Sequence, residues 1–123
     1  MIRLALPKGR NLEPVLAGLR AAGLALTGFE GDSRRLRFAS PEDGVEVLLL
    51  KDWDLPLYVE QGIADCGFAG SDVLDEVDGD LLVPLRLLAG RSRLSLIGLP
   101  GARPHAGGQV RLATKYPRTA RRW

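Results

Sequence analysis

The sequence predicts an α/β protein in which short apolar strands alternate with amphipathic helices. Three observations support this class: short apolar runs recur along the chain, apolar residues at helical spacing follow several of them, and glycine-containing turns separate the two patterns. The predicted order is βα, ββ, αβα, ββ, βα. A basic, glycine-containing corner at residues 90–93 divides it into a first α/β domain, 1–90, and an incomplete second domain, 91–123.

The first predicted unit is a strand over residues 2–6 followed by a helix. Asn11 is a suitable N-cap, Leu12, Leu16 and Leu19 share one helical face, and Gly23 stands where a C′ residue belongs. The intervening turn contains Lys8, Gly9 and Arg10, two cations beside free backbone N–H groups, which suits a phosphate or carboxylate. Solvated loop charges are the alternative interpretation, and the pattern leaves both open.

A weakly alternating strand over 35–40, a turn over 41–44 and an apolar strand over 45–50 predict an antiparallel hairpin. In the stretch from Asp54 to Asp72, apolar residues first recur at helical spacing, which predicts a helix. A run of small and apolar residues over 63–70 follows, which predicts a strand. The strand ends at Gly70, and a helix follows to about residue 77. Such a corner is where open α/β sheets bind ligands, although a βα loop without a ligand fits the spacing equally well.

Strands are predicted over residues 81–88, 94–99 and 110–113, and a basic helix is predicted to begin at 114–117. Residues 100–108 form a loop by composition, and we interpret the single histidine within it, His105, as a solvated loop residue. Without a second histidine or a cysteine cluster, zinc and nucleophilic chemistry are not indicated.

Composition and charge further restrict the class of protein and the kind of ligand that it can bind. Hydrophobic residues make up 46% and charged residues 26%, as in soluble globular proteins, and no apolar run is long enough to span a bilayer. The single Cys66 allows no internal disulfide, which suits the cytoplasm. Five basic residues lie in 111–123, and the first 110 residues carry 12 basic and 15 acidic residues. A nucleic-acid surface is therefore not supported, whereas a local anion site is.

Five motifs in a fixed order resemble those of the ATP phosphoribosyltransferase family, the catalytic chains of the first enzyme of histidine biosynthesis. The motifs are Leu6-Pro7-Lys8-Gly9-Arg10, Lys51-x-x-Asp54-x-Pro56-x-Tyr58-Val59, Gly62-x-Ala64-Asp65-x-Gly67-x-x-Gly70-x-Asp72, Ser92-Arg93-Leu94-Ser95-Leu96 and Arg111-x-Ala113-Thr114-Lys115-Tyr116-Pro117. The resemblance covers nearly the whole chain but only the first part of the family's catalytic region.

This resemblance implies a two-lobed fold like that of type II periplasmic binding proteins, with the first lobe nearly complete and the second truncated. ATP and phosphoribosyl diphosphate would meet between the lobes, where adenine N1 displaces diphosphate from the ribose with Mg²⁺ assisting. The open sheet edge of a truncated second lobe would invite pairing with another copy, so we expect a homo-oligomer, and there is room for a separate regulatory subunit. No catalytic residue is assigned; the implied substrate-binding residues are Lys8, Gly9, Arg10, Lys51, Asp54, Gly70, Asp72, Arg93, Thr114 and Lys115.

The sequence departs from the family pattern in three places. Lys51 stands where arginine is frequent, and Ser92 stands where cysteine is frequent. The family's acidic strand end followed by a Thr-Gly-x-Thr turn, which binds phosphoribosyl diphosphate, has no counterpart after residue 117, and the Thr27-Gly28 pair lies in the wrong place. We therefore expect these 123 residues to be inactive alone. The alternative function is a non-catalytic module that binds ATP or another anion.

Overall fold

The computed structural model describes residues 1–29, 35–88, 90–103 and 109–123. Its centre is a mixed β-sheet with helices on both faces. Within these residues the strands are β1 (Ile2–Pro7), β2 (Arg37–Ser40), β3 (Val45–Leu50) and β4 (Cys66–Gly67). The helices are α1 (Leu12–Ala21), α2 (Leu55–Glu60), α3 (Ser71–Val77) and α4 (Pro117–Arg122). The predicted α/β class is confirmed at this level.

The sheet has the strand order β2-β3-β1-β4. Strand β1 pairs in parallel with β3 and β4, and β2 pairs antiparallel with β3, which confirms the predicted hairpin. In the register of the central pair, Ile2 lies opposite Val45 and Pro7 lies opposite Leu50. The three parallel strands therefore end at one edge of the sheet, which we call the carboxyl edge; it comprises residues 8–11, 51–54 and 68–72.

Alternation along the central strands divides the core between the two faces of the sheet. Leu4, Leu6 and Val47 pack with the apolar face of α1, whereas Ala5 and Leu48 pack with Leu55 of α2 on the opposite side. Ala5 and Val47 are fully buried. Both helices therefore start at the carboxyl edge and are fixed against the sheet by burial of apolar surface.

Helices α1 and α2 end in the same way. Gly23 and Gly62 have φ angles of +92° and +67°, in the left-handed region that favours glycine. After each glycine, the next N–H reaches back to the helix: Leu24 N–H donates to Leu19 O and Ile63 N–H to Tyr58 O, both at 2.9 Å. These are Schellman motifs, and they confirm the prediction of Gly23 as the C′ residue.

Three predicted strands are wrong. Residues 81–88, 94–99 and 110–113 form no strand, and the predicted strand over 63–70 shortens to Cys66–Gly67. Leu82 is 96% exposed and Ile97 is 89% exposed, so these apolar segments do not enter the core. A strand is stable only when a neighbour satisfies its N–H and C=O groups, and no described segment pairs with any of these three.

Two other predictions concern membrane association and His105. Among the described residues, no helix combines the length and the apolar character that crossing a membrane requires. His105 lies outside the described residues.

Candidate functional site

The two lysines Lys8 and Lys51 leave the sheet side by side at the carboxyl edge. The Lys8 N–H donates to Leu50 O at 2.8 Å, which extends the β1–β3 pairing to the last residue of β3. Both lysines are exposed, as is Arg10 two residues further along the first turn. Gly9, between Lys8 and Arg10, has a φ of +87°, so the turn requires glycine at this position. The structure thus places the first two predicted groups of cations together.

Asn11 and Asp52 connect the first two turns of the carboxyl edge. Asn11 caps α1 by position, but its side chain makes no cap hydrogen bond, and its amide instead donates to Asp52 Oδ2 at 3.4 Å. Asn11 is therefore the N-cap residue, as predicted, but its side chain does not cap the helix, because the neighbouring turn offers a charged acceptor. Asp52 Oδ1 is buried and has no partner among the described residues. The sequence did not single out Asp52, since it reads as one more charge at a strand end.

The predicted corner between β4 and α3 is confirmed in outline. Gly70 has an extended backbone, and its carbonyl accepts hydrogen bonds from Val73 and Leu74 at 3.1 Å each. The Asp72 carboxylate folds back against Gly70, so that an added Cβ at residue 70 would clash with it. An acidic group therefore lies at the start of this short helix. Asp54, the N-cap residue of α2, is exposed.

Tyr116 joins the segment before α4 to this corner. Its hydroxyl donates to Asp72 Oδ2 at 2.8 Å, and its N–H donates to Thr114 Oγ1 at 3.0 Å. The hydrogen bond to Asp72, burial, and the negative charges of Asp72, Asp52 and Glu76 raise the pKa of the Tyr116 hydroxyl. Tyr116 is therefore a protonated donor at neutral pH, and it brings Thr114 and Lys115 to the carboxyl edge.

The side chain of Lys115 lies against two aromatic rings. Its Nζ is 5.5 Å from the centroid of the Trp53 ring and 5.7 Å from that of the Tyr116 ring. The two rings are in tilted contact, with centroids 5.1 Å apart. Both distances are within the range of cation–π attraction. We call Trp53, Lys115 and Tyr116 the aromatic cradle; sequence reasoning missed Trp53, because a lone tryptophan in a charged turn carries no periodic signal.

Glu76 anchors α4 on α3. It is buried, and its carboxylate accepts hydrogen bonds from Arg118 N–H at 2.7 Å, Thr119 N–H at 2.9 Å and the Thr119 hydroxyl at 3.0 Å. Burial by itself raises the pKa of Glu76, but these three hydrogen bonds outweigh it, and the net pKa is lowered. Arg118 also pairs with Asp78. Glu76 lies three residues after Val73, on the buried face of α3. This helical spacing is the sequence signal that could have identified it.

Not every predicted site residue joins this group. The carboxyl edge and aromatic cradle include Lys8, Gly9, Arg10, Lys51, Asp54, Gly70, Asp72 and Lys115, with Thr114 beside them. Arg93 is exposed in the 90–103 segment, and no contact among the described residues connects it to the cradle. Gly28 lies near the Phe38 ring, and Leu26 N–H donates to Asp43 at 3.0 Å beside the β2–β3 turn. The Thr27-Gly28 pair therefore lies at the end of the sheet opposite the carboxyl edge.

The described residues do not form a protein-only metal centre. No group of three or more histidine, cysteine, aspartate or glutamate side chains among them could hold a metal ion. Mg²⁺ is usually bound by one or two carboxylates together with substrate phosphates, and Asp54 and Asp72 are carboxylates at the carboxyl edge. These residues do not fit a resident magnesium site that exists without substrate.

Comparison with known proteins gives a consistent result. Residues 51–123 match the family described as HisG: ATP phosphoribosyltransferase. The chain is 47% identical over 120 residues to an ATP phosphoribosyltransferase of Deinococcus radiodurans, covering 98% of this chain and 52% of that protein. It is 43% identical over 123 residues to one of Marinobacter nauticus, covering 99% and 57%.

A solved structure is also similar. It is the ATP phosphoribosyl transferase (HisG:HisZ) complex from Thermotoga maritima, with a TM-score of 0.56 and 36% identity over 71% of this chain and 40% of that chain. The chain spans a little over half the length of the curated relatives it matches. With a family match over more than half of its residues, the chain belongs to the ATP phosphoribosyltransferase (HisG) family.

Proposed function

We propose that this chain carries the ATP-binding side of an ATP phosphoribosyltransferase. The reaction condenses ATP with phosphoribosyl diphosphate to give N1-(5-phosphoribosyl)-ATP and diphosphate, in histidine biosynthesis. The observation that carries the proposal is the convergence of Lys8, Arg10, Lys51 and Lys115 on one edge of the sheet, from three separate segments of the chain. All four side chains are exposed at the edge where open α/β sheets bind ligands.

The chemistry of the reaction suits this arrangement. Adenine N1 attacks the ribose C1, the bond to diphosphate breaks, and the electron pair leaves with the diphosphate. Negative charge develops on the leaving group while the ribose passes through an oxocarbenium-like state, so catalysis depends on positioning and electrostatic stabilisation. Exposed lysine and arginine side chains at fixed strand ends would supply the positioning, by binding the phosphates of ATP so that adenine N1 faces the ribose.

We propose the two-lobed fold of type II periplasmic binding proteins for the complete catalytic region, with residues 1–90 in the first lobe and 91–123 opening the second. The exposed apolar segments 81–88, 94–99 and 110–113 support this proposal, because completing the sheets of the two lobes would bury them. They also support association into homo-oligomers. The proposal also includes a cytoplasmic location and a separate regulatory subunit. Mg²⁺ would be brought in with the substrate phosphates.

Titration of ATP into the 123-residue chain tests the proposal, followed by an assay for phosphoribosyl-ATP in the presence of phosphoribosyl diphosphate and Mg²⁺. Lys8→Met removes one cation from the carboxyl edge and should weaken ATP binding about tenfold or more, since a hydrogen bond to a charged group contributes about 1.5–3 kcal/mol. Arg20→Met is the matched control, because Arg20 is exposed in the last turn of α1, away from that edge.

The outcomes separate the two candidate functions. ATP binding that depends on Lys8 but not on Arg20, together with product formation, supports the enzyme. ATP binding with the same dependence but no product, also from the protein as purified from its native source, supports the non-catalytic anion-binding module, because these 123 residues are expected to be inactive alone. Absence of ATP binding, or equal effects of the two substitutions, refutes both functions.

A further inference from the structure

The partners of Lys115 distinguish it from the paired cations of this chain. Among the described residues, ion pairs join Arg3 with Asp65, Arg37 with Glu46 and Arg118 with Asp78, and these are not a complete set. The charges of those three arginines are therefore largely compensated. The Lys115 ammonium instead lies on two neutral ring faces, which attract it without cancelling its charge.

The two rings of the aromatic cradle are held by different elements. Tyr116 is tied to the start of α3 by its hydrogen bond to Asp72. Trp53 lies in the turn that joins β3 to α2, where Asp54 N–H donates to Lys51 O at 3.0 Å. The ring positions, and through them the ammonium position, are thus set by the β3 and β4 ends of the carboxyl edge.

We propose that Trp53 is a positioning residue: its ring holds the Lys115 ammonium at the carboxyl edge, ready to bind a substrate phosphate. This inference rests on the proposed function. A lysine side chain has four rotatable bonds, and fixing it on binding costs up to about 2 kcal/mol of rotamer entropy. A ring that has already restricted the side chain reduces that cost, which increases affinity for the anion.

The proposal predicts a specific pattern of ATP affinities. Lys115→Met should weaken ATP binding about tenfold, because a charged donor to phosphate is lost. Trp53→Leu should weaken it about three- to fivefold, the effect expected for loss of a partly exposed cation–π contact. Because Trp53 acts through Lys115, the double variant should bind no more weakly than Lys115→Met alone. Trp53→Tyr should restore most of the affinity.

The matched control is Phe29→Leu, which breaks another ring contact. The Phe29 and Phe38 rings are 5.5 Å apart in the core on the α1 face, outside the carboxyl edge. This variant should leave ATP affinity unchanged even where it lowers stability. If Trp53→Leu does not fold, Trp53→Phe takes its place in the double-variant comparison, because phenylalanine attracts a cation less strongly than tryptophan.

Inorganic diphosphate is the second probe, and its affinity should follow that of ATP because the interaction is with phosphate. Additive losses in the double variant, an equal loss in Phe29→Leu, or no loss in Trp53→Leu would overturn the role of Trp53. If Lys8→Met weakens ATP binding while Trp53→Leu does not, only this inference fails. If the unsubstituted chain binds neither ATP nor diphosphate, the proposed function fails as well.

Discussion

Substitution of Gly67 by alanine tests the packing that brings β4 to the carboxyl edge. A Cβ at this position would lie 2.8 Å from Leu55 Cδ2, 2.9 Å from Ala5 Cβ and 2.9 Å from Ala5 O. Ala5 is fully buried in the central strand and Leu55 is 2% exposed, so neither neighbour has free space to move into. One of the three contacts is with backbone, which a rotamer change cannot relieve.

The magnitude follows from these contacts. Gly67 itself is exposed, but the added methyl would press on buried Ala5 and Leu55. Overpacking by one methyl group costs about 1–3 kcal/mol, while replacing a strand glycine recovers about 0.5–1 kcal/mol of chain entropy. We expect Gly67→Ala to lower the free energy of unfolding by about 1–2 kcal/mol. In urea unfolding followed by circular dichroism, this corresponds to a midpoint lower by about 0.5–1 M.

Gly18→Ala is the matched control, with the opposite expected sign. Gly18 lies exposed inside α1, and an added Cβ there meets no atom within 4 Å. Alanine should therefore raise the free energy of unfolding by about 1 kcal/mol through helix propensity alone. A Gly67→Ala variant as stable as the unsubstituted chain would refute the close approach of β4 to β1 and α2.

Two further predictions concern polar contacts. Tyr116→Phe removes the donor to Asp72 and should lower the free energy of unfolding by about 1–2 kcal/mol in urea. Tyr58→Phe should change it little, because the Tyr58 hydroxyl has no hydrogen bond to the described residues. Equal effects of the two substitutions would contradict the contact between Tyr116 and Asp72. The Arg3 side chain and N–H hold the pKa of Asp65 at about 2, below its usual 3.8. Because the unfolded chain binds this proton more readily, the contribution of Asp65 to stability is complete above about pH 4 and is lost as the pH falls towards 2. Asp65→Asn should flatten the decline of the urea midpoint between pH 4 and pH 2, and an unchanged decline would contradict the pairing.

Local signals account for the parts of the fold that the sequence predicted well. The helical face of Leu12, Leu16 and Leu19 and the glycine at residue 23 act within one element, so they could be recognised without knowledge of the rest of the chain. The hairpin of β2 and β3 has both partners within a few residues of each other. The segment over 94–99 has an equally strong apolar pattern but no strand, because strand formation depends on a partner that no described segment provides.

The candidate site divides in the same way. The sequence by itself determined that cations follow the strands at Lys8 and Lys51 and that a glycine-acid corner follows β4. Only the tertiary structure decided that these turns share one edge with Lys115, that Trp53 supplies a ring for its ammonium, and that Glu76 anchors α4. The physical reason is that these contacts join residues 40 or more positions apart, and such contacts depend on strand register and helix docking, which local spacing does not encode.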